Sequence, residues 1–257
     1  MPSWKKWLSN RSWLSWELDP RYQGQEIPKQ LFVSFPKAGR TWLRVLLDQL
    51  EIDLTYSHDG SAHNDLVPFY EWNQDKSCYA NTQVILMVRE PKDVMVSSFF
   101  QTTRRTKVFQ GNLSAFLRDP FFGIEKYLTF LKGWEANLEV PQSLFWFSYE
   151  EMHNCPFETV RKLLDFMGKG WIPDQKIQEA IQFCEFSNMQ KLEREGQFVA
   201  KYGKKLLPKQ LDDPQTYKTR EGKIGGYRAY MAEADIAFCE MEIRKANSLF
   251  YPVAVKK

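Results

Sequence analysis

Apolar positions along this chain follow two periods. Short, largely apolar runs at 30–35, 83–88 and 143–147, and a shorter candidate at 53–56, read as strands. Between them, apolar residues recur every three to four positions, which predicts helices over 41–51, 91–104, 124–137 and 157–167, with two more near 174–184 and 232–250. Strands alternating with helices predict an α/β fold, a mostly parallel central sheet with helices on both faces. The last two helices are separated by a charged, Gly- and Lys-containing stretch, 192–226, that carries neither period. A loop of that length inside a compact domain reads as a lid or binding loop. No internal repeat or low-complexity tract divides the chain, so one domain over 1–257 is expected.

Two strand ends carry candidate chemistry. The first runs into Pro36-Lys37-Ala38-Gly39-Arg40-Thr41, after which Trp42, Leu43, Leu46, Leu47 and Leu50 take helical spacing. A strand, a basic turn and a helix start form an anion site, because free amides and the positive end of the helix dipole face the ligand. The lysine precedes the glycine, so this is not the ATP-binding G-x-x-x-x-G-K-[ST] loop. The second strand end repeats the pattern around Pro91, which suits a first helical position. Arg89 stands where a phosphotransferase would place an acid for Mg²⁺, and Ser97 follows along the helix. Taken alone, Arg89 also suits a surface pair with Glu90 or Asp93. Two anion sites in one sheet favour a nucleotide phosphorylated at two separate places.

Bulk properties narrow the partners. A net charge of +3 does not indicate nucleic acid. The positive charge is concentrated: residues 191–228 hold ten Lys/Arg against five Asp/Glu. Four cysteines without C-x-x-C spacing read as reduced, buried thiols. No apolar run reaches transmembrane length and no signal-peptide core is visible, so a cytoplasmic protein is expected. The aromatic-rich segment 1–28 holds Trp4, Trp7, Trp13 and Trp16 on opposing helical faces, which suits packing on the domain; weak contact with a membrane surface, or a role at the acceptor site, is the alternative. His58 and His63 lie in one loop with Asp59 and Asp65, but no metal is expected there.

Together these motifs resemble those of the 3′-phosphoadenosine-5′-phosphosulfate (PAPS)-dependent sulfotransferases, cytosolic-like in type and closer to bacterial members in the "HDGS" loop. Pro36 to Trp42 is similar to their 5′-phosphosulfate loop, Arg89-Glu90-Pro91-Lys92-Asp93 with Ser97 to their 3′-phosphate motif, and Arg220 to Tyr227 to their late R-K-G-x-x-G-D-W motif. The resemblance implies a P-loop-like fold, PAPS as donor, 3′-phosphoadenosine-5′-phosphate (PAP) as product, and no metal. It implies that Lys37, the amides from Ala38 through Arg40 to Thr41 and the Thr41 hydroxyl hold the 5′-phosphosulfate. Trp42, Tyr149 and Phe186 would bound the adenine, while Arg89, Ser97, Arg220, Glu221 and Gly222 would hold or border the 3′-phosphate. His58 would be the general base, with His63 as the fallback. The segment 192–226 would cover the cofactor.

Three departures stand out. Tyr56 occupies the position where animal members carry a lysine, and Arg40 is the candidate replacement. Glu221 and Gly226 replace a common lysine and aspartate. The short dimerisation motif is not recognisable, which leaves the oligomeric state open. The implied acceptor is a small molecule (natural product, lipid or sugar) sulfated on a hydroxyl or amine. Residues 67–72 with Arg104, Arg105, Phe109, Phe121 and Phe122 are the candidate acceptor elements. A nucleotide phosphotransferase, or an inactive PAP-binding scaffold, is the alternative. Metal-free calorimetry is expected to show PAP bound more tightly than ADP or ATP, and Arg89→Ala to cost about 1.5–3 kcal/mol, roughly 10- to 150-fold. Equal or tighter binding of ATP would refute the 3′-phosphate reading.

Overall fold

The computed structural model describes residues 27–60 and 67–251. Four strands, β1 (Gln30–Ser34), β2 (Thr55–Ser57), β3 (Gln83–Val88) and β4 (Ser143–Ser148), form a parallel sheet in the order β2-β1-β3-β4. Ten α-helices surround it among the described residues: α1 (Arg40–Gln49), α2 (Pro91–Phe100), α3 (Leu113–Leu117), α4 (Ile124–Glu135), α5 (Tyr149–Asn154), α6 (Pro156–Phe166), α7 (Asp174–Phe183), α8 (Phe186–Arg194), α9 (Val199–Tyr202) and α10 (Glu233–Ala246).

Strand side chains alternate between the two faces, and both faces are dry. Leu31, Val33, Val84 and Leu86 pack with Tyr127, Phe130 and Trp134 of α4. Phe32, Ile85 and Met87 pack with Leu43, Leu46 and Leu47 of α1 and with Leu163 of α6. That explains why the strands read as largely apolar runs. Each fully buried side chain of this kind contributes roughly 1.5–3 kcal/mol.

The chain leaves β1 to pair β2 on one side and later returns to pair β3 on the other. Connections therefore diverge at β1, opening a crevice at the carboxyl ends of the strands, where ligands of open α/β sheets bind.

Two sequence expectations are corrected here. The segment 192–226 is no open loop. Its first residues finish α8, and short helical turns follow at Val199–Tyr202, Gly203–Leu206 and Pro214–Thr216. Buried groups anchor it: Glu193 accepts the amides of Lys218 (2.6 Å) and Thr219 (2.8 Å), and Arg105 donates to the carbonyls of Leu207 (3.1 Å) and Thr216. Its order comes from contacts distant in sequence, which periodicity does not report. The cysteines are unpaired, but only Cys184 and Cys239 are buried, and Cys155 is exposed. The N-terminal tryptophans and His63 lie outside the described residues.

Past β2 the chain turns at Asp59, whose φ is +51°. Its carboxylate pairs with Lys76 at 3.0 Å and accepts the Tyr79 hydroxyl at 2.7 Å. Lys76 also lies 5.6 Å from the Trp134 ring centroid. Burial pushes the Asp59 carboxyl above its usual range, and Lys76 opposes that push. Leaving one member of a buried pair alone is costly. Lys76→Met is therefore expected to lower unfolding stability by about 3–5 kcal/mol. In urea titrations the Asp59→Asn/Lys76→Met double variant should be the more stable of the two, and equal midpoints would refute the pairing.

Candidate active site

All four strands deliver residues to a cavity of about 430 Å³ at their carboxyl ends. After β1 the chain turns sharply: Lys37 has φ +71° and Gly39 φ +118°. At Gly39 a Cβ would sit 2.6 Å from Met87 Cε and 2.8 Å from Tyr149 Cδ2, so only glycine fits. Gly39 is also the N-cap of α1, with no side-chain cap bond and no acidic residue in the first turn. The unpaired amides at that end remain available to an anion. Lys37, Arg40, Thr41 and Trp42 line the cavity. Ala38 does not: it is fully buried, and its amide donates to the Phe35 carbonyl at 3.3 Å.

Burial, then the like charges of Lys218, Arg105 and Arg89, hold the Lys37 pKa well below the usual lysine value, and only Glu193 pulls it back. Lys218 lies outside the three motifs, yet it lines the same cavity and donates to Gln101 Oε1 at 3.1 Å. Its only signal in the sequence was the excess of cations in 191–228.

Arg89 ends β3. It makes no ion pair with Glu90 or Asp93, contrary to the surface-pair reading. Its guanidinium lies 4.2 Å from the Tyr149 ring centroid and donates to the carbonyls of Lys37 (3.2 Å) and Lys223 (3.3 Å). Its Nε is buried without a hydrogen-bond partner. The start of α2 is not an open anion site, because Glu90 caps it by accepting the Asp93 amide at 2.8 Å. The cavity is offered instead the side chains of Arg89 and, one and a half turns into the helix, Ser97.

The late motif closes over these groups. Asp93 accepts the amides of Gly225 (2.7 Å) and Tyr227 (2.9 Å), and Tyr149 donates to the Gly222 carbonyl at 2.9 Å. Gly222, at φ +65°, packs so closely on Phe186 that a Cβ would meet Cδ2 at 2.6 Å. Phe186 starts α8 and lines the cavity with Trp42 and Tyr149. Arg220 is already engaged: it pairs with Glu221 at 3.0 Å and donates to the Tyr230 hydroxyl at 2.9 Å, while its Nε is buried and unpartnered.

His58 follows β2 and faces the same cavity. Its Nδ1 lies 2.8 Å from the Ser34 carbonyl oxygen. A carbonyl only accepts, so Nδ1 carries the hydrogen, and Nε2 of the neutral ring carries the lone pair. Tyr56, two residues earlier, is buried with the Arg44 guanidinium 4.6 Å from its ring centroid and does not line the cavity. Trp72, Phe109, Phe121 and Phe122, named above as acceptor candidates, belong to or pack against the core around α4, so they do not line it either.

The family model described as "Sulfotransferase domain" matches residues 75–250. The chain belongs to the sulfotransferase family. Flavonol 3-sulfotransferase of Flaveria bidentis is 24% identical over 247 residues, covering 80% of this chain and 78% of that protein. Cytosolic sulfotransferase 12 of Arabidopsis thaliana is 24% identical over 245 residues, covering 79% and 72%. Among solved structures, a mouse sulfotransferase complexed with PAP superposes with TM-score 0.61 at 15% identity, covering 87% of this chain and 86% of that one. Retinol dehydratase in a complex with retinol and PAP gives 0.63 at 19%, covering 90% and 85%. At such identities the structures establish the fold, and the α/β architecture expected from the sequence stands. This sulfotransferase is an enzyme of sulfate transfer, and the phosphotransferase and scaffold alternatives are not favoured.

A phosphate entering beside Lys37 favours the ammonium that its neighbours disfavour. Binding of PAP in mildly alkaline buffer is therefore expected to take up a proton and to weaken as pH rises. Calorimetry in two buffers of different ionisation enthalpy should detect the uptake in the wild type and not in Lys37→Met. Uptake that survives the substitution would place the titrating group elsewhere.

Proposed function

We propose that this sulfotransferase draws its sulfonate from PAPS and passes it in line to a hydroxyl or amine of a small-molecule acceptor, with His58 as general base. The observation that carries this reading is that Lys37, His58 and Arg89, the ends of three adjacent strands, line one cavity. The residues present fit the donor. Lys37, Arg40 and Thr41 offer one anion cluster and Arg89, Ser97 and Arg220 another, as a nucleotide phosphorylated at both 5′ and 3′ positions requires. The unpartnered Nε atoms of Arg89 and Arg220 add donors with no present use. Gly39 and Gly222 keep the backbone low where side chains would intrude, and Trp42, Tyr149 and Phe186 supply aromatic surface for the adenine.

PAPS, when bound, supplies a sulfonate on a good leaving group. His58 Nε2 accepts the acceptor's proton as the acceptor atom bonds to sulfur and the bond from sulfur to the bridging phosphate oxygen breaks. Lys37 stabilises the charge that appears on that oxygen. With Tyr56 buried, Arg40, Lys218 and Lys223 are the other cations that line the cavity and could face the sulfonate. Glu221 holds Arg220 and must share it with the 3′-phosphate, a weaker grip than a lysine would give.

No metal enters this reading. One named relative is a flavonol sulfotransferase, and neighbouring structures hold retinol or androsterone, which supports a small-molecule acceptor here. No helix among the described residues is long and apolar enough to cross a membrane. Several relatives are named cytosolic, which supports a cytoplasmic enzyme; the reading takes the chain as one domain. His58→Ala is expected to keep PAP affinity and to lower turnover by roughly 10²- to 10⁴-fold. Turnover that survives, or PAP affinity lost along with it, would remove His58 from the role of base.

A further inference from the structure

A second cavity, of about 410 Å³, lies between the turn that follows α2 and the basic segment. Its wall carries Arg104, Arg105, Lys107 and Lys209 against one acid, Asp213. Asp213 is already used, accepting the Gln215 amide at 3.0 Å. Arg105 is buried and anchors the segment through the Leu207 and Thr216 carbonyls. The other three cations make no ion pair among the described residues. Some exposed cations elsewhere do, among them Lys132 with Glu135 at 2.8 Å, Lys245 with Glu242 at 2.7 Å and Lys201 with Asp48 at 3.0 Å.

Like charges gathered around a concave space repel, and the repulsion is relieved by an anion. The backbone beside them is held by Arg105 and Thr216. The place also has a direction. Arg105 and Thr216 line this cavity, and Lys218, two residues on, lines the donor cavity and bonds Gln101 at the head of the same turn. The two cavities are neighbours along both segments.

We propose that Arg104, Lys107 and Lys209 bind an anionic group carried by the acceptor, so that the acceptor class is a small hydroxylated acid: a carboxylated, sulfated or phosphorylated sugar or lipid headgroup. The anion site stands on the second cavity alone; its service to the acceptor rests on the donor reading given above.

The test uses the full chain saturated with PAP, which blocks the first cavity. Inorganic sulfate and a glucuronate-containing disaccharide are titrated by calorimetry into three proteins. These are the wild type, Arg104→Ala/Lys107→Ala/Lys209→Ala, and a control with equal charge loss elsewhere, Lys132→Ala/Lys176→Ala/Lys245→Ala. The expected result is disaccharide binding in wild type and control that weakens at least tenfold, a loss of one charged contact or more, in the first triple variant. Equal loss in both variants would show general charge attraction, and no loss or no wild-type binding would remove the site. Inorganic sulfate binding as tightly as the disaccharide would make it a free-anion site and overturn its acceptor role. If PAP itself does not bind, the donor reading fails, and the same titrations on the unliganded protein still decide the anion site.

Discussion

A single guanidinium touches three distant parts of this chain. Arg89, at the end of β3, donates to the Lys37 carbonyl in the β1 turn, donates to the Lys223 carbonyl in the late segment, and sits over the ring of Tyr149 at the end of β4. Tyr149 in turn holds Gly222. The backbone of Arg89 is fixed from beneath by the Tyr127 hydroxyl, which accepts its amide at 2.9 Å and donates to its carbonyl at 2.8 Å. Planar, permanently charged and able to stack while it donates, arginine suits this junction where lysine would not. The site's walls are registered to one another through it before any ligand arrives, and such pre-organisation reduces the ordering cost of binding.

Charge is distributed with the same economy. Asp93 and Glu193, the buried carboxylates nearest the late segment, accept backbone amides: Gly225 and Tyr227 for the first, Lys218 and Thr219 for the second. They fix the position of a basic segment from which Lys218, Arg220 and Lys223 line the cavity. The cost appears at Lys37, whose ammonium is disfavoured by its crowded, positive surroundings. An apo site poised in this way gains from an anion both contact and relief of repulsion.

How much of this was legible depended on how local the signal was. The four strands, the helices that follow β1 and β3, and the turn from Pro36 to Thr41 were readable because each is encoded by a contiguous pattern. The short helix α5, capped by Ser148 and Glu151, and the helix α8 were not separated from their surroundings, since each is brief and mostly polar. The order of 192–226 rests on Arg105 and Asp93, residues from elsewhere in the chain, and on Glu193, whose partners lie 25 and 26 residues further on, so no short window of sequence contains both sides of those bonds. The same limit hid Lys218 from the motifs and sent Trp72, Phe109 and Phe122 to the acceptor list, although their rings complete the core. The Arg220–Glu221 pair shows the converse: the departure at 221 was visible, and its partner turned out to be the adjacent residue.

His58 and Lys37 leave neighbouring parallel strands whose register is fixed by Val33 opposite Ser57, and the Ser34 carbonyl seizes the imidazole directly across that register. On the proposed roles, the span between proton acceptor and leaving group starts from an interstrand spacing of about 4.8 Å, to which the turn that carries Lys37 adds its own reach. Acceptor-facing segments can lengthen, shorten or change composition without altering the reach of the chemistry. On that reading, a frame that stores most of its catalytic distance in the hydrogen-bond ladder can accept a different substrate with little change in the chemistry.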